Sequence, residues 1–417
     1  MLEFKPKKKE SLSMTIIYPD YIYINESFQQ QLAVAFSTRI EAINHVEILK
    51  KKYPEATLHY GGKNSILYPG FINTHVHLEF STNKTTLQYG NFMPWLDSVI
   101  KNREDLVGQC DNDLMMQSCE AMMASGITTF GAISSFGLEL EVCEKTPQKV
   151  IFFNELIGSN ATTADMLYAD FLERLDASKA SNQGIIPAIA IHSPYSVHPI
   201  VLKRAVAVAK NENLPISAHF LESQAEREWL EHNSGEFLPF FKKFFSTSIA
   251  VSTIEEFIKS FDEIPTHFVH AVQATQEELS YLNKKGHSIA HCPRSNRLLG
   301  CGRLKIEELL STGIPFTTAT DGLSSNSSLN IFDELRSALM LHHLEPLEPL
   351  ANQLIKSITS TPAQIFNLSS GVIEIGKDAD FALLSLPDVP SSIESIALQT
   401  ILHTQHVDAL YITGGKI

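Results

Sequence analysis

Two histidines one residue apart, His75 and His77, are the first feature of this sequence with a capacity for chemistry. They lie in the stretch FINTHVHLEFS, directly after the apolar run ILYPGF. In an extended strand, residues two apart point to the same side, so both imidazoles can face one metal ion. In a chain with 16 histidines, however, an isolated HxH pair is more often two ordinary histidines at a strand end.

Other apolar runs also end in titratable residues that can bind a metal or transfer a proton. These residues are His192, His219 with Glu222 three positions later, His270 and Asp321. Each one alone has an ordinary explanation, as a buried histidine, a solvated glutamate or an aspartate that caps a helix. Their repetition at strand ends favours one shared site, provided that the strands belong to the same sheet.

The spacing of the apolar runs predicts the sheet that would bring these residues together. The β-branched runs span residues 65–77, 126–134, 149–158, 185–193, 214–220, 265–271, 286–292 and 314–321. Longer helical patterns separate them, and eight strand–helix units predict an α/β fold, the (β/α)8 TIM-type barrel. In such barrels the active site lies at the carboxyl ends of the strands, where these residues should converge.

Both ends of the chain have the pattern of short strands and not of strand–helix units. We therefore expect residues 1–65 and 366–417 to form the two parts of one small β-sandwich, beside a metal-dependent hydrolase barrel of residues 66–365. The basic segment KPKKK near the start is expected to be a disordered tail. Among the remaining histidines, His267 and His291 are expected to face outward or pack against helices, and His342 and His343 to lie on the surface.

Composition excludes several classes of partner. The net charge of −14 argues against a polymeric nucleic acid as partner. No apolar run approaches the roughly 18 residues that span a bilayer, so no membrane partner is expected. Five scattered cysteines without a CxxC motif predict a reduced, cytoplasmic chain. A homodimer is left open.

Three imidazoles and one carboxylate suit a first-row divalent ion, Zn²⁺ first, with Fe²⁺ and Mn²⁺ as alternatives. An ion with an open coordination position lowers the pKa of bound water towards ~7. In this arrangement Asp321 can be both ligand and base, Glu222 can carry a proton to the substrate, and His270 can polarise the hydroxide. The predicted chemistry is hydrolytic attack on an electrophilic carbon. Strand 4 ends in His192 and not in a lysine, which favours one metal ion over two.

Six motifs resemble the amidohydrolase superfamily, and within it the branch of nucleoside deaminases and chlorohydrolases. They are PGFINTHVH, HSPYSVHP, SAHFLES, FVHA, HCPRSNRLLG and TDGLSSNSSLNIFDELR, which occur in the order expected for that family. The likeness extends over nearly the whole chain. The resemblance implies that the metal ligands are His75, His77, His219 and Asp321.

The same resemblance implies roles for three other residues. Glu222 matches the glutamate that shuttles protons, His270 matches the histidine beside the hydroxide, and His192 lies near the substrate. In the S-adenosylhomocysteine deaminases of this family, a glutamate nine residues after a tryptophan holds the ribose hydroxyls. Trp95 and Glu104 have that spacing here, which favours a nucleoside over a free base.

The segment FFNELIGSNATTADM lacks the arginines that hold the amino-acid tail in those enzymes. Together with HFLES, CPRSNRLLG and ATDGLSSNSSL, it resembles the aminodeoxyfutalosine deaminases of bacterial menaquinone synthesis. Their substrate is an adenosine with a benzoate on its 5′ side. We expect Asn296 and Arg297 to bind substrate, Arg297 through the carboxylate, with Arg294 and Arg303 as further candidates.

Other functions remain open at this stage. One group comprises deamination of S-adenosylhomocysteine, 5′-methylthioadenosine or adenosine. Another is a guanine deaminase or a chlorohydrolase on the same scaffold. The non-enzymatic alternative is a metal-binding scaffold protein.

Overall fold

The computed structural model describes residues 13–82, 85–181 and 184–417, so the basic KPKKK segment lies outside the described residues. Short strands precede the barrel. They are β1 (Thr15–Tyr18), β2 (Tyr21–Ile24), β3 (Ser27–Gln30), β4 (Ala33–Phe36), β5 (Ile40–Asn44), β6 (Thr57–Tyr60) and β7 (Ser65–Pro69).

The predicted (β/α)8 barrel is confirmed. Eight parallel strands follow one another around the sheet in chain order. They are β8 (Phe71–Val76), β9 (Ile127–Ser134), β10 (Lys149–Leu156), β11 (Ile185–Ile191), β12 (Ile216–Phe220), β13 (His267–His270), β14 (Ser288–His291) and β15 (Phe316–Thr318). The edge strands approach each other closely, and the backbone N–H of Asp321 donates to the carbonyl of His75 at 3.1 Å.

Helices connect the strands. Those before β12 are α1 (Val46–Lys52), α2 (Phe92–Lys101), α3 (Arg103–Gly108), α4 (Asn112–Ala124), α5 (Leu140–Lys145), α6 (Ala161–Ala180) and α7 (Pro199–Glu212), with a 3₁₀ turn at Leu78–Phe80. Those after it are α8 (Gln224–His232), α9 (Phe237–Phe245), α10 (Ile254–Lys259), α11 (Gln276–Lys284), α12 (Pro293–Leu298), α13 (Ile306–Thr312), α14 (Ile331–Leu341), α15 (Leu347–Ser357), α16 (Ser360–Ile365) and α17 (Ile396–His403). Within the described ranges, none is long and apolar enough to cross a bilayer.

The first predicted barrel strand, residues 65–77, is two strands in the structure. β7 pairs with the C-terminal part of the chain, and only β8 belongs to the barrel. The chain changes sheets at Gly70, where a β-carbon would collide with the side chain of Thr128. A continuous apolar run cannot reveal this change, because residues on both sides of it are buried.

The chain ends form two sheets beside the barrel. The C-terminal strands β16 (Phe381–Ser385), β17 (Ala409–Ile412) and β18 (Gly415–Lys416) join β7, β2 and β3 in a six-stranded sheet. A four-stranded sheet of β5, β4, β1 and β6 packs on it through a shared apolar cluster that includes Ile17, Phe36 and Phe381. The predicted β-sandwich is therefore present, with the C-terminal segment contributing to one of its sheets.

Two histidines lie elsewhere than the sequence predicts. His267 is inside the barrel, because its Nε2 lies 3.2 Å from Thr74 Oγ1 and 3.1 Å from Thr317 Oγ1, on strands that are not its neighbours. His342 is buried at the end of α14, with Nε2 2.9 Å from Nε2 of His291. Its neighbour His343 is exposed, as expected. All five cysteines are buried and unpaired.

A buried ion pair joins the barrel to the C-terminal segment. Lys149, the first residue of β10, places Nζ 2.7 Å from Asp378 Oδ2 and 2.5 Å from Asp380 Oδ2. All three side chains are at least nine-tenths buried. Removing the cation would leave the buried carboxylate of Asp380 without its counter-charge, and Asp378 with only the exposed Arg39, whose Nε lies 3.8 Å away.

We therefore expect Lys149→Met to lower the free energy of unfolding by roughly 3–5 kcal/mol, the usual cost of breaking a buried pair from one side. Thermal or denaturant unfolding measures the loss. The control is Lys145→Met, which breaks an exposed pair with Glu141 and should cost less than about 1 kcal/mol. Similar small losses in both variants would contradict a structural role for Lys149.

Candidate metal and catalytic site

The side chains at four barrel strand ends converge as the sequence predicts. Nε2 of His75 and Nε2 of His77 each lie 3.6 Å from Asp321 Oδ1. The ring centroids of His75 and His219 are 4.9 Å apart, and those of His219 and His270 are 5.6 Å apart. The five side chains form one compact cluster at the carboxyl end of the barrel.

Unusual backbone conformations occur at the ends of three of these strands. Leu221, His270 and Asp321 have φ values of 44°, 70° and 58°, in the left-handed region that non-glycine residues rarely adopt. Such residues cost on the order of 1–3 kcal/mol each and persist where the surrounding structure holds them. At His270 and Asp321, the left-handed conformation accompanies a side chain that lines the central cavity.

The cluster has the properties of a metal site. Donor atoms of His75, His77 and Asp321 lie within 4.8 Å of one another, as do those of His75, His219 and His270. Both ring nitrogens of His75 are buried and have no hydrogen-bond partner among the described residues. A buried imidazole without a partner is costly unless something else binds it, and a divalent cation would satisfy it.

Electrostatics keep the histidines in the form that binds a metal. Burial, with the neighbouring His75, lowers the pKa of His77 to about 3. The same causes hold the pKa of His219 well below its usual range. These imidazoles are therefore neutral at pH 7, as metal ligation requires. Nδ1 of His219 lies 2.7 Å from the carbonyl oxygen of His192, which directs Nε2 towards the cluster.

Asp321 is held by several donors. Its Oδ2 accepts hydrogen bonds from the hydroxyls of Ser295 and Ser325, at 2.7 and 2.8 Å, and its Oδ1 accepts from the N–H of Gly322 at 2.7 Å. Burial opposes ionisation, but the interaction with His75 holds the pKa of Asp321 well below its usual range. Asp321 is therefore an oriented carboxylate whose Oδ1 faces His75 and His77.

Glu222 lies beside this cluster on the wall of the cavity. Its Oε1 is 3.6 Å from Nε2 of His270. Burial raises the pKa of Glu222 well above its usual range, and the charge of Asp321 adds to this effect. The backbone N–H groups of Leu221 and Glu222 donate to the carboxylate of Glu226, at 3.0 and 2.8 Å. Glu226 therefore fixes the segment that carries Glu222.

Sequence analysis overlooked Glu226, although a signal was present. Ser223 caps the N-terminus of α8 and Glu226 follows three positions later, which is the S-x-x-E spacing of a capping box. Here the glutamate also accepts from the N–H groups of Leu221 and Glu222, the two residues before the cap. The capping glutamate therefore also holds the segment that carries Glu222.

Asn296 contacts His270, not the cavity. Its Oδ1 lies 2.8 Å from Nδ1 of His270, and its side chain is fully buried behind the histidine. The contact that the structure shows for Asn296 is one that positions His270, and its contact with the substrate stays a prediction. With Nδ1 of His270 donating to Asn296, Nε2 is the nitrogen that can accept a hydrogen bond on the side of Glu222.

A cavity of about 270 Å³ opens from the cluster. Aromatic rings form much of its wall, namely Phe80, Phe92, Trp95, Phe136 and Tyr195. His192 also lines it, and the Trp95 indole donates to the carbonyl of Ser324 at 2.9 Å. The predicted positions of Trp95 and His192 at the cavity are thus observed, and the cavity combines a charged, hydrogen-bonding end with flat apolar walls.

Two predicted substrate residues, Glu104 and Arg297, do not line the cavity, and both side chains are exposed. Glu104 follows Arg103, which does line it, and consecutive helical residues point about 100° apart. The assignment of Glu104 to the ribose therefore stays a prediction. Arg294 and Arg303 are already paired, with Glu334 and Glu307 respectively.

Glu155 was not selected by sequence analysis, although it lies near the end of a barrel strand. It is on β10, with Oε1 3.9 Å from Nδ1 of His219 and Oε2 2.5 Å from the hydroxyl of Ser135. Burial raises the pKa of Glu155 to about 7. Its position in the run FFNELIG, at the carboxyl end of strand 3, was the available signal.

Comparisons with known proteins agree with this geometry. The model of the amidohydrolase family matches residues 66–416. The aminodeoxyfutalosine deaminase of a Nitratiruptor species is 47% identical over 404 residues, which are 97% of this chain and 99% of that protein. The adenosine deaminase of Helicobacter pylori is 33% identical over 395 residues, 93% of this chain and 95% of that protein.

A solved structure shows the same similarity. The crystal structure of Helicobacter pylori aminofutalosine deaminase in complex with methylthio-coformycin superposes with a TM-score of 0.92. Its sequence is 32% identical, and the match covers 97% of this chain and 100% of that one.

The geometry predicts about one equivalent of divalent metal in the purified protein. We expect His75→Ala and Asp321→Ala to lose it, because each removes a donor from the cluster. The matched control is His343→Ala, at an exposed histidine, which should keep the full equivalent. Elemental analysis of the three variants measures the content. Two equivalents, both needed for activity, would contradict a mononuclear site.

Proposed function

The chain belongs to the amidohydrolase family and is a hydrolytic deaminase, and we propose that its substrate is an adenosine-type nucleoside, 6-amino-6-deoxyfutalosine. The products would be futalosine and ammonia, in menaquinone biosynthesis. The observation that carries this proposal is the position of the carboxyl groups of Asp321 and Glu222 beside a cluster of buried imidazoles, at the inner end of a cavity with aromatic walls.

The donor set is the basis for proposing the metal. Three imidazoles from His75, His77 and His219 and one carboxylate from Asp321 suit Zn²⁺, with Fe²⁺ and Mn²⁺ as alternatives. When bound, such an ion supplies a nucleophilic hydroxide at neutral pH by acidifying water.

The side chains of the site have complementary tasks in deamination. Water adds to the purine carbon that bears the amino group, and ammonia leaves, so one proton must reach the ring nitrogen and another the departing amine. Asp321 accepts a proton from the attacking water, and Glu222 delivers protons to the purine. His270, held through Nδ1 by Asn296, offers Nε2 to the attacking oxygen.

The walls of the cavity favour a flat, aromatic substrate. Phe80, Phe92, Trp95 and Phe136 offer apolar ring surface to a purine. Deamination of S-adenosylhomocysteine, 5′-methylthioadenosine or adenosine uses the same reacting groups, and so do guanine deaminases and chlorohydrolases. The nucleosides differ in what lies on the 5′ side of the ribose, guanine has no ribose, and a chlorotriazine has no purine.

Product release from a panel of compounds tests the proposal, measured as ammonia for the nucleosides and guanine and as chloride for the chlorotriazine. The panel contains 6-amino-6-deoxyfutalosine, 5′-deoxyadenosine, 5′-methylthioadenosine, S-adenosylhomocysteine, adenosine, guanine and a chlorotriazine. We expect the highest kcat/KM for 6-amino-6-deoxyfutalosine, with weaker activity on uncharged adenosine derivatives. Activity confined to guanine or the chlorotriazine would contradict a nucleoside deaminase.

Replacement of Glu222 by glutamine tests the proton carrier. An amide occupies the same space but cannot deliver a proton, and general acid–base groups contribute typically 10²–10⁴-fold. We therefore expect Glu222→Gln to keep its metal and to lose kcat by about that factor. Glu277→Gln, at an exposed glutamate, is the control and should match the wild type. Turnover of Glu222→Gln within a few-fold of wild type would remove Glu222 from the mechanism.

A further inference from the structure

The net charge of the chain raises a difficulty for an anionic substrate. The whole chain has a net charge of −14, and four acidic side chains, those of Glu155, Glu222, Glu226 and Asp321, line the cavity. An anion entering this field needs a local cation. Among the described residues that line the cavity, Arg103 is the only lysine or arginine.

Arg103 differs from the other arginines near the carboxyl face of the barrel. The guanidinium groups of Arg294 and Arg303 each donate hydrogen bonds to neighbouring side chains. Within the described part of the chain, Arg103 makes neither an ion pair nor a side-chain hydrogen bond. Its guanidinium carbon instead lies 4.7 Å from the centre of the Phe136 ring.

Stacking on Phe136 orients the guanidinium without occupying its N–H groups. A cation over an aromatic face is attracted by the ring, while the donors at the edge of its plane stay free for a ligand. A planar pair of N–H donors matches a carboxylate, and a charge-assisted bond of this kind is stronger than a neutral one. Arg103 is thus an arginine that contacts an aromatic ring and has no carboxylate partner among the residues that the structure describes.

The position of Arg103 suits the far end of a long substrate. His77 packs on Phe80 and Phe80 on Phe136, each with ring centroids 6.4 Å apart, and Phe136 carries Arg103. This row of rings extends along the cavity from His77, in the histidine cluster, to the guanidinium of Arg103. A purine at one end and an aromatic carboxylate at the other would follow the same row.

We propose that Arg103 binds the anionic group on the 5′ side of the nucleoside and thereby selects a carboxylated substrate. The inference rests on the proposed deaminase function and extends it to specificity. It replaces Arg297, whose side chain, unlike that of Arg103, lies outside the cavity lining. Arg103 would recognise the negative charge and planar shape of the carboxylate, and the aromatic ring that bears this carboxylate would pack on Phe80 and Phe136.

The test pairs two substrates that differ only in charge: the carboxylated nucleoside and its carboxamide. With metal-loaded enzyme, we expect Arg103→Met to lower kcat/KM for the carboxylate about tenfold or more, mainly through KM. The loss for the carboxamide should be severalfold smaller. Arg103→Lys should recover part of the preference, because it restores charge without the planar donor pair. The preference of wild type should also shrink as salt is raised, since the contact is partly solvent-exposed.

Arg297→Met is the matched control, and it should leave the preference for the carboxylate unchanged. Equal losses on both substrates in Arg103→Met, or a selective loss in Arg297→Met, would overturn the inference while leaving the deaminase intact. A wild-type enzyme that deaminates neither compound would overturn the proposed function, and the role of Arg103 with it. Melting temperatures of the variants identify any loss that comes from misfolding.

Discussion

The structure depends on one electrostatic constraint: several histidine side chains and one aspartate lie together, largely buried, at the carboxyl end of the barrel. His75 is fully buried with both ring nitrogens unpartnered among the described residues, and its neighbours His77 and His219 are held neutral by burial, which lowers the pKa of each. Such a cluster is unfavourable on its own and becomes favourable when a cation binds it. The left-handed backbone at His270 and Asp321 is held by the surrounding structure and accompanies two side chains that line the cavity beside this cluster.

The scaffold supplies the rigidity that this arrangement requires. Parallel strands place their carboxyl ends together, so residues far apart in the sequence reach one point without long loops. The edge strands β8 and β15 are joined by the bond from the Asp321 N–H to the His75 carbonyl, which couples closure of the barrel directly to two of the proposed ligands. On the opposite side, Lys149 ties the start of β10 to the C-terminal segment.

The residues whose positions follow from strand periodicity could be predicted from the sequence. His75 and His77 were expected on one side of an extended strand, and His219, His270 and Asp321 were each expected at the end of a later strand. Periodicity could not fix the rotation of short helices. The structure shows that Arg103, not its neighbour Glu104, lines the cavity, and that Arg297 is exposed outside it. Nor could periodicity show that Asn296 lies behind His270, because that contact joins two segments 26 residues apart.

Anomalous diffraction from crystals of the metal-loaded protein, recorded at the absorption edge of the bound metal, tests the central claim most directly. The account predicts a single strong peak at the carboxyl end of the barrel, within coordination distance of His75, His77, His219 and Asp321. A second peak of equal occupancy beside it, or a peak elsewhere with this cluster empty, would contradict the account.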